Sequence, residues 1–432
     1  MVNGGGADLA WRRMSDTATT TSTPVLPVPE PGLTPAEVIR RAEALRPRLL
    51  EEQAATEERT FYSEEIHRAF DEAGFYRILQ PRMFGGYEFD VPTFYRVIIE
   101  VSRGCPSTGW CLSLNAAHAL QAGAFFSEQA QREMFEPDGD FRCAARDTPR
   151  GTARPVDGGY VVNGTWDYCS GSPWSTHLMV GAMLEDGSGT VEYDQFSGRQ
   201  LLLTIPREHW EILNDWGNMI GLRGSGSHSV RVNDAFVPEH MVHSLNLLDV
   251  DVSDGTLGGR LHGNPMYAGR QVGFFGGELA SIAVGAAKAA LDEYERLIRA
   301  KKTTFSPHIL RARHHDYQRT LGQTMGMIDA AEATIVRIGQ LYMEYCEANA
   351  SGERPFTIEM DYRLDQMAIQ AGFLAYNATD QLVRTAGSSP MANGARMQRY
   401  LRDLIQYRTH MAASAWEVMA TTTAQQHLGL DG

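Results

Sequence analysis

Two histidines are candidates for acid–base chemistry. His118 lies in the segment STGWCLSLNAAHAL (107–120), and His410 lies in LIQYRTHMAASAWE (404–417). An unperturbed imidazole has a pKa of about 6.5, so either side chain could take a proton from a substrate near neutral pH. Each could instead be an ordinary core or surface histidine with a satisfied hydrogen bond, and the residue types alone leave that choice open.

Hydroxyl and carboxyl groups form a second set of candidates. Ser170 and Ser172 flank Gly171, where a hydroxyl could hydrogen-bond a bound ring or simply complete a turn. We favour Ser170 narrowly over Ser172. Glu278, in GGELASIAVG, could act as a general base. It could equally stabilise the first turn of a helix through the helix dipole.

The bulk composition excludes several classes of protein. The chain has 432 residues and a net charge of −14, whereas a nucleic-acid groove needs concentrated lysine and arginine. Its five cysteines form no CxxC pair, which argues against a zinc site or a disulfide scaffold. Neither a GxGxxG after a strand nor a GxxxxGK(S/T) occurs, so a nicotinamide-binding fold and an NTPase are not indicated. The absence of a long apolar run and of a signal pattern predicts a cytoplasmic protein.

Patterning predicts a polar tail followed by folded units. Residues 1–30 are rich in Gly, Ser, Thr and Pro and are expected to be disordered. Helical periodicity prevails over residues 31–138, starting at a capping box formed by Thr34 and Glu37. Residues 139–262 contain short β-branched and aromatic stretches separated by Gly, Asn, Asp and Pro, which predict a small β-sandwich or barrel.

A second helical unit is predicted at residues 263–432. Long helical segments are expected from residue 274 and at about 315–349, 357–386 and 394–426, which indicates an up-and-down four-helix bundle. The predicted fold class is therefore α+β and multidomain: an N-terminal helical domain, a central β domain and a C-terminal four-helix bundle.

Four segments resemble motifs of the acyl-CoA dehydrogenase superfamily, in the order of that family. They are LQPRMFGGYEFD (79–90), NGTWDYCSG (163–171), MIGLRGSGSHSVRVNDAFVPEHMV (219–242), and TAGSSPM with MQRYLRD (385–403). The resemblance covers roughly residues 34–426. Members of this superfamily either dehydrogenate acyl-CoA thioesters or act as oxygenases, which use reduced flavin from a separate reductase to hydroxylate aromatic or amine substrates.

One departure from the dehydrogenase pattern favours the oxygenase branch. Many dehydrogenases place the catalytic carboxylate shortly after a C-terminal Arg-Asp pair, which is Arg402-Asp403 in this sequence. The residues that follow include His410 and no carboxylate before Glu417. The hydroxylases resemble this chain in having one histidine on the last helix and another after a Ser-Thr-Trp-like turn. The resemblance thus implies catalytic roles for His410 and His118.

The resemblance also implies which residues bind the flavin ring. It places Trp166 against the dimethylbenzene side of the ring, although a tryptophan in a strand is a core residue by default. It assigns Ser170, or else Ser172, to the flavin N5 atom, where a hydroxyl would steady the oxygenated flavin.

A separate loop resembles a phosphate-binding segment. Gly387, Ser388 and Ser389 correspond to a glycine loop that, in relatives, serves the cofactor of the neighbouring subunit. Dehydrogenases also carry an arginine, an aromatic residue and a glycine after the first bundle helix, whereas this chain has Lys302 and Phe305 without the glycine. A lysine offers a point charge and no bidentate fork. The site therefore suits reduced FMN or FAD that binds loosely.

We accordingly expect the oxygenase component of a two-component flavin-dependent monooxygenase. The resemblance implies a separate NAD(P)H:flavin reductase, dioxygen as co-substrate, hydroxylation of a phenol-like ring through a C4a-hydroperoxyflavin, and a homotetramer. Three alternatives stay open. They are an acyl-CoA dehydrogenase with Glu278 as base, a flavin-dependent N-oxygenase of an amine or amino sugar, and a flavin-binding scaffold without enzymatic activity.

Overall fold

The first residues that the structure describes are attached to the folded protein. The computed structural model describes residues 24–185, 199–244, 246–414 and 416–430. Most of the predicted tail, residues 1–30, lies outside the described residues. The backbone N–H groups of Val25 and Leu26 both donate to the carbonyl oxygen of Met83, at 2.8 and 3.1 Å. The described end of the predicted tail therefore packs on the helical domain.

In the described part of the chain, five helices make up the N-terminal domain. They are α1 (Pro35–Arg59), α2 (Glu64–Glu72), α3 (Val91–Gly104), α4 (Pro106–Phe125) and α5 (Glu128–Phe135). Helix α1 begins where the sequence predicts, because the Thr34 hydroxyl accepts a hydrogen bond from the Glu37 N–H at 3.2 Å.

Helix α4 lies at the centre of the protein. All of its residues except Leu114 are buried, and its sequence contains no charged residue. A helix that has no charged residue and is buried on all sides is enclosed by other elements. Its neighbours are α3, strand β1 (Cys143–Val156) and helix α7 (Val272–Ala300). Helix α4 therefore touches both the β domain and the C-terminal helices.

The β domain is one mixed sheet in the described residues. Besides β1, its strands are β2 (Gly159–Trp166), β3 (His177–Leu184), β4 (Gln200–Pro206), β5 (Glu211–Ile212), β6 (Val230–Pro238) and β7 (Val242–His243). Their order across the sheet is β5-β6-β2-β1-β3-β4-β7. Strands β1 and β3 pair in parallel, and the other neighbours pair antiparallel. The predicted central β domain is confirmed.

Helices form the C-terminal unit, as predicted. After the short α6 (Leu257–His262) and the long α7, they are α8 (His315–Ala350), α9 (Ile358–Ala386), α10 (Arg396–Arg408), α11 (Met411–Ser414) and α12 (Trp416–Leu428). The prediction of one helix over about 394–426 is wrong, because the chain leaves the helix at Thr409 and His410. The Thr409 hydroxyl donates to the Gln406 carbonyl oxygen at 2.8 Å and so competes for a helix acceptor.

Helix α7 is the central helix of this bundle. By length and composition it is apolar enough to cross a membrane, yet 83% of its most apolar window is buried inside the protein. It packs against α3, α8 and α9. At Gly285 a Cβ atom would lie 2.5 Å from the Ile99 carbonyl oxygen, so the glycine permits close contact with α3. Its apolar character is explained by packing within the protein.

Candidate active site

A chain of hydrogen-bonded hydroxyls lies between α4 and the β domain. The indole N–H of Trp110 donates to the hydroxyl oxygen of Ser170 at 2.9 Å. That oxygen lies 2.8 Å from the Ser227 hydroxyl, which lies 2.7 Å from the Ser225 hydroxyl. Because an indole can only donate, Ser170 keeps its own proton for Ser227 or for a bound ligand. This hydroxyl chain is buried, and the direction of its hydrogen bond is fixed at the Trp110 end.

The turn that carries Ser170 is fixed to the middle of α4. Asn115 donates from Nδ2 to the Gly171 carbonyl oxygen at 3.2 Å, and its Oδ1 accepts from the Ser175 hydroxyl at 2.7 Å. Gly171 has a φ of 77°, and a Cβ atom there would lie 2.7 Å from the Asn115 amide. Only glycine therefore fits at the turn, which sets the position of Ser170.

The two predicted serines have different partners. The Ser172 hydroxyl donates to the Gly226 carbonyl oxygen at 3.1 Å, and so it joins two loops of the β domain. The Ser170 hydroxyl contacts Trp110 and Ser227. The structure brings Ser170, and not Ser172, into the hydroxyl chain.

His118 is held in one tautomer. Its Nδ1 atom lies 2.6 Å from the Leu114 carbonyl oxygen and 3.0 Å from the Cys143 carbonyl oxygen. Two acceptors require a donor, so Nδ1 carries the ring proton and Nε2 presents a lone pair. Burial lowers the pKa of His118 to about 4, although the two carbonyl hydrogen bonds oppose that shift. The imidazole is therefore neutral near physiological pH.

His410 lies at the break between α10 and α11 and packs against Trp110. The two rings meet edge to face, with centroids 5.2 Å apart and planes at 69°. Burial, and then the positive charge of Arg146, lower the pKa of His410 to about 4. Trp110 thus contacts both His410 and Ser170, and it lies two turns before His118 on the same helix. The structure brings the three predicted catalytic residues around one helix.

Glu278 is fully buried between α7 and α4. Its Oε1 atom accepts a hydrogen bond from the Ser113 hydroxyl at 2.7 Å, and its Oε2 atom has no partner among the described residues. Burial raises the pKa of Glu278 to about 8, against the opposing effect of the Ser113 hydrogen bond. The carboxyl group is therefore protonated near neutral pH, where it cannot accept a proton from a substrate.

The C-terminal Arg-Asp pair holds the loop that carries Ser225 and Ser227. The Leu222 N–H donates to Asp403 Oδ1 at 2.7 Å. At Gly221 a Cβ atom would lie 2.0 Å from the Arg402 carbonyl oxygen, so only glycine allows this approach. Two motif segments that are far apart in sequence therefore meet beside the hydroxyl chain.

Trp166 lies in the interior of the sheet. Its indole N–H donates to the Gly181 carbonyl oxygen at 2.8 Å, and the side chain is fully buried. Gly151 leaves room for the ring, because a Cβ atom there would lie 2.4 Å from it. These are the contacts of a core residue, and the flavin contact of Trp166 stays a prediction.

Replacing Trp166 by alanine should lower the free energy of unfolding by about 3–5 kcal/mol, since a large buried ring would leave a cavity. Denaturant titration measures this loss. The Trp166→Phe variant keeps most of the ring and separates the two roles. A core role predicts lower stability with unchanged affinity for reduced flavin, whereas weaker flavin binding at unchanged stability would contradict it.

The predicted phosphate loop is held by a lysine next to the predicted one. Gly387 has a φ of 93°, a conformation that favours glycine. The Ser389 hydroxyl accepts a hydrogen bond from Lys301 Nζ at 2.7 Å, while Ser388 is exposed. The side chain of Lys302 is exposed as well. The cationic neighbour of the loop is therefore Lys301, which directly precedes the predicted Lys302.

This loop is distant from the other candidate residues of the same chain. Glu278 and Lys301 stand near opposite ends of α7, about 35 Å apart at the rise of an α-helix. A cleft of about 370 Å³ beside the loop is lined by Lys301, Arg296 and Arg396, among others. The structure does not bring Gly387, Ser388, Ser389 or Lys302 to the hydroxyl chain.

Several residues at the site do not stand out in the sequence. Trp110 and Ser170 are 60 residues apart, and Ser170 and Ser227 are 57 apart, so no local pattern links them. Asn115 is also linked only to residues 56 and 60 positions away, so no local pattern indicates its role. The usable signal is that α4 carries no charge yet contains Trp, Ser, Asn and His. Polar groups on a fully buried helix need partners, and such partners often belong to a functional site.

The chain matches two domain models of one known family and resembles several characterised proteins. Residues 40–138 match the acyl-CoA dehydrogenase N-terminal domain, and residues 278–415 match the acyl-CoA dehydrogenase C-terminal domain. Over 376 residues the chain is 31% identical to the flavin-dependent monooxygenase, oxygenase subunit HsaA, of Rhodococcus jostii. That alignment covers 87% of this chain and 94% of the relative.

Two further similarities extend over nearly the whole chain. The p-hydroxyphenylacetate 3-hydroxylase, oxygenase component, of Acinetobacter baumannii is 23% identical, with 93% of this chain and 91% of the relative aligned. The structure of XiaF from Streptomyces sp., in complex with FADH2 and glycerol, superposes with a TM-score of 0.82 at 25% identity. It covers 92% of this chain and 96% of that one.

Proposed function

The chain belongs to the acyl-CoA dehydrogenase family, among the flavin-dependent monooxygenase oxygenase subunits, and we propose that it hydroxylates a phenol-like aromatic substrate. One observation carries the proposal. His118 has a fixed tautomer whose Nε2 lone pair can take the proton of a phenol, because Nδ1 is committed to two carbonyl oxygens. Loss of that proton increases the electron density of the ring and so favours its attack on an electrophilic oxygen.

Reduced FMN or FAD fits beside the hydroxyl chain. Arg146 Nε is buried without a hydrogen-bond partner in the described chain, and it lies 3.7 Å from Asp167 Oδ1. A flavin ring presents carbonyl oxygens and ring nitrogens, which could accept a hydrogen bond from the Arg146 N–H and from the Ser170 hydroxyl. These two side chains would hold the ring. When bound, reduced flavin supplies the electrons that activate dioxygen.

The remaining site residues would orient the substrate and exclude water. Trp110 fixes the Ser170 hydroxyl and covers His410, so one side chain stabilises both. His410, neutral near physiological pH, would accept or donate a hydrogen bond to the substrate. Enclosure of the reacting groups prevents water from diverting the reaction.

Acyl-CoA dehydrogenation is disfavoured by the state of Glu278. A dehydrogenase base must be ionised to abstract a proton from carbon. Burial keeps Glu278 protonated near neutral pH, and its Oε1 atom is engaged by Ser113. A protonated carboxyl group can donate and accept hydrogen bonds, but it cannot act as the base of a dehydrogenase.

The proposed use of a loosely bound flavin also implies which partners the protein has. A loosely held flavin must be reduced elsewhere, so we infer a separate NAD(P)H:flavin reductase, and we propose a cytoplasmic location, where NAD(P)H is available. The Gly387 loop lies beside Lys301, at the opposite end of α7 from Glu278, which supports a homotetramer in which that loop serves the flavin of a neighbouring subunit. The cationic cleft beside the loop, with Lys301 and Arg396, suits a phosphate.

The proposal is tested with purified protein and simple phenols. We expect a colourless protein that forms a hydroxylated product only when a flavin reductase and NADH are supplied, with ¹⁸O from dioxygen in the product. A matched reaction without the oxygenase should give hydrogen peroxide and no product. A tightly bound yellow flavin that an acyl-CoA bleaches without oxygen would overturn the proposal in favour of a dehydrogenase.

A further inference from the structure

Polar side chains line the contact between α4 and α7 beside His118. We call this contact the α4–α7 seam and define it by Ser113, His118, Gln271, Phe275 and Glu278, together with Gln121, which follows Leu120 and lies one turn after His118 on α4. The helices run antiparallel along it, through contacts of Ser113 with Glu278, His118 with Phe275, and the Leu120 carbonyl oxygen with Gln271. The seam therefore begins at the predicted base and extends along one face of α4.

The seam contains a concentration of unsatisfied polar atoms. Both amide atoms of Gln121, Oε1 of Gln271 and Oε2 of Glu278 have no hydrogen-bond partner in the described chain. All three side chains are 0% exposed. Buried polar groups are almost always hydrogen-bonded, because an unpaired one costs stability. Unpaired groups on three side chains beside one catalytic candidate indicate that a hydrogen-bonding ligand completes them.

The partners that these atoms require define the ligand chemically. Gln271 donates its Nε2 to the Leu120 carbonyl oxygen at 3.4 Å, which leaves its Oε1 as an acceptor. Gln121 offers both a donor and an acceptor. Burial keeps Glu278 protonated near neutral pH, so its Oε2 atom can donate. Gln271 and Glu278 are seven residues apart on α7, which is about 10 Å, so one ligand group would satisfy the two glutamines and a second would satisfy Glu278.

The seam provides no positive charge to balance an anion. Helix α4 contains no charged residue, and Glu278 is the sole charged residue type in α7 before Lys288. The nearest cation in sequence, Arg270, is buried against Asp361 at 3.4 Å and donates to the Leu248 carbonyl oxygen at 2.8 Å. An unpaired carboxylate buried here would cost far more than a neutral group.

We propose that Gln121 and Gln271, at one end of the α4–α7 seam, bind the distal end of the aromatic substrate and select a neutral hydroxyl or carbonyl group over a carboxylate. This inference rests on the proposed function, since it takes His118 as the point where the phenol hydroxyl binds. Phe275, which contacts His118, would pack against the substrate ring between its two ends. The specificity differs from what p-hydroxyphenylacetate, named for the relative at 23% identity, would require.

The test compares two phenols that differ in one distal group. 4-(4-Hydroxyphenyl)butan-2-one carries a ketone, and 3-(4-hydroxyphenyl)propanoate is of similar length and carries a carboxylate. Binding of each is measured by equilibrium dialysis to the full chain, without oxygen, in the presence of reduced flavin. We expect the ketone to bind at least about 10-fold more tightly. Equal affinity, preference for the carboxylate, or no binding of either phenol would overturn the inference.

Two matched substitutions separate binding from structure. Gln121→Leu removes the unpaired amide, and we expect it to weaken ketone binding about 3- to 10-fold without lowering the melting temperature. Gln131→Leu is the control, because its buried amide is satisfied by the carbonyl oxygens of Gly123 and Phe126 at 3.1 and 2.8 Å. It should lower the melting temperature and leave binding unchanged. Unchanged ketone binding in Gln121→Leu would contradict the assignment.

Because the binding measurement does not require turnover, the proposed selectivity of the seam and the proposed hydroxylase function can be contradicted independently of each other. Selective ketone binding without hydroxylation, when reductase, NADH and oxygen are added, would refute the proposed function and retain the seam as a ligand site. Hydroxylation of the carboxylate phenol as efficiently as the ketone would retain the function and refute the specificity.

Discussion

Replacement of His118 by alanine is expected to lower kcat/KM for hydroxylation about 10²- to 10⁴-fold, the range that general acid–base catalysis contributes. The expectation follows from the tautomer, because both carbonyl oxygens at Nδ1 demand a donor and leave Nε2 as the acceptor. Product formation with reductase, NADH and a simple phenol is the measurement.

Acidic phenols distinguish a base from a packing residue. A phenol whose own pKa lies below the assay pH reaches the site already ionised, so the loss caused by His118→Ala should shrink for it by at least about 10-fold. An equal loss for ordinary and acidic phenols would show that His118 acts through structure alone. His177→Ala is the matched control, since burial also lowers the pKa of His177 to about 4 and its Nδ1 contacts Thr176.

The protonation state of His118 has a consequence for pH dependence. Its pKa is depressed from about 6.5 to about 4 in the folded protein, so the unfolded chain binds more protons between these values. Stability from this group is therefore present above the unfolded pKa and is lost as pH falls toward the folded one. Turnover carried by a neutral His118 should not fall between about pH 8 and about pH 6.

Much of the architecture follows from sequence periodicity. The Thr34 cap, the β-rich middle region and three of the long C-terminal helices lie where local patterns predict them. These features depend on neighbours in sequence, such as capping groups and repeated apolar positions. The break at Thr409 is different, because it depends on a side-chain hydroxyl competing with the backbone at one position.

The site could be predicted only in part, for a physical reason. His118, His410 and Ser170 stand out by type and by family resemblance, but Trp110 connects two of them through contacts made after folding. Those contacts span 60 residues in one case and join α4 to a helix break in the other. The protonation of Glu278 is likewise a property of burial, which the sequence around it does not reveal.

Ser170→Ala should divert most of the reducing equivalents from product to hydrogen peroxide. The variant removes the hydroxyl proposed to hold the flavin ring, and it leaves the buried Trp110 N–H without its acceptor. If the proposed hydrogen bond from Ser170 to the flavin ring is worth about 1–3 kcal/mol, its loss corresponds to a change of about 5- to 150-fold in the ratio of peroxide to product. Product and hydrogen peroxide are measured per NADH consumed.

Ser172→Ala is the matched control for this prediction. Its hydroxyl donates to the Gly226 carbonyl oxygen and lies outside the hydroxyl chain, so the variant should lose stability and keep the ratio of product to peroxide. Equal uncoupling in both variants would contradict a special role for Ser170.

A double-mutant cycle decides whether Trp110 acts through Ser170. Trp110→Phe keeps an aromatic ring beside His410 and removes the N–H that orients the serine. If the two side chains act as one unit, combining Trp110→Phe with Ser170→Ala should add little to the uncoupling of Ser170→Ala alone. Independent roles would make the two effects multiply. The first result would establish that a donor on α4 sets the direction of a hydroxyl on the β domain, so that the interface between the two domains controls the fate of activated oxygen.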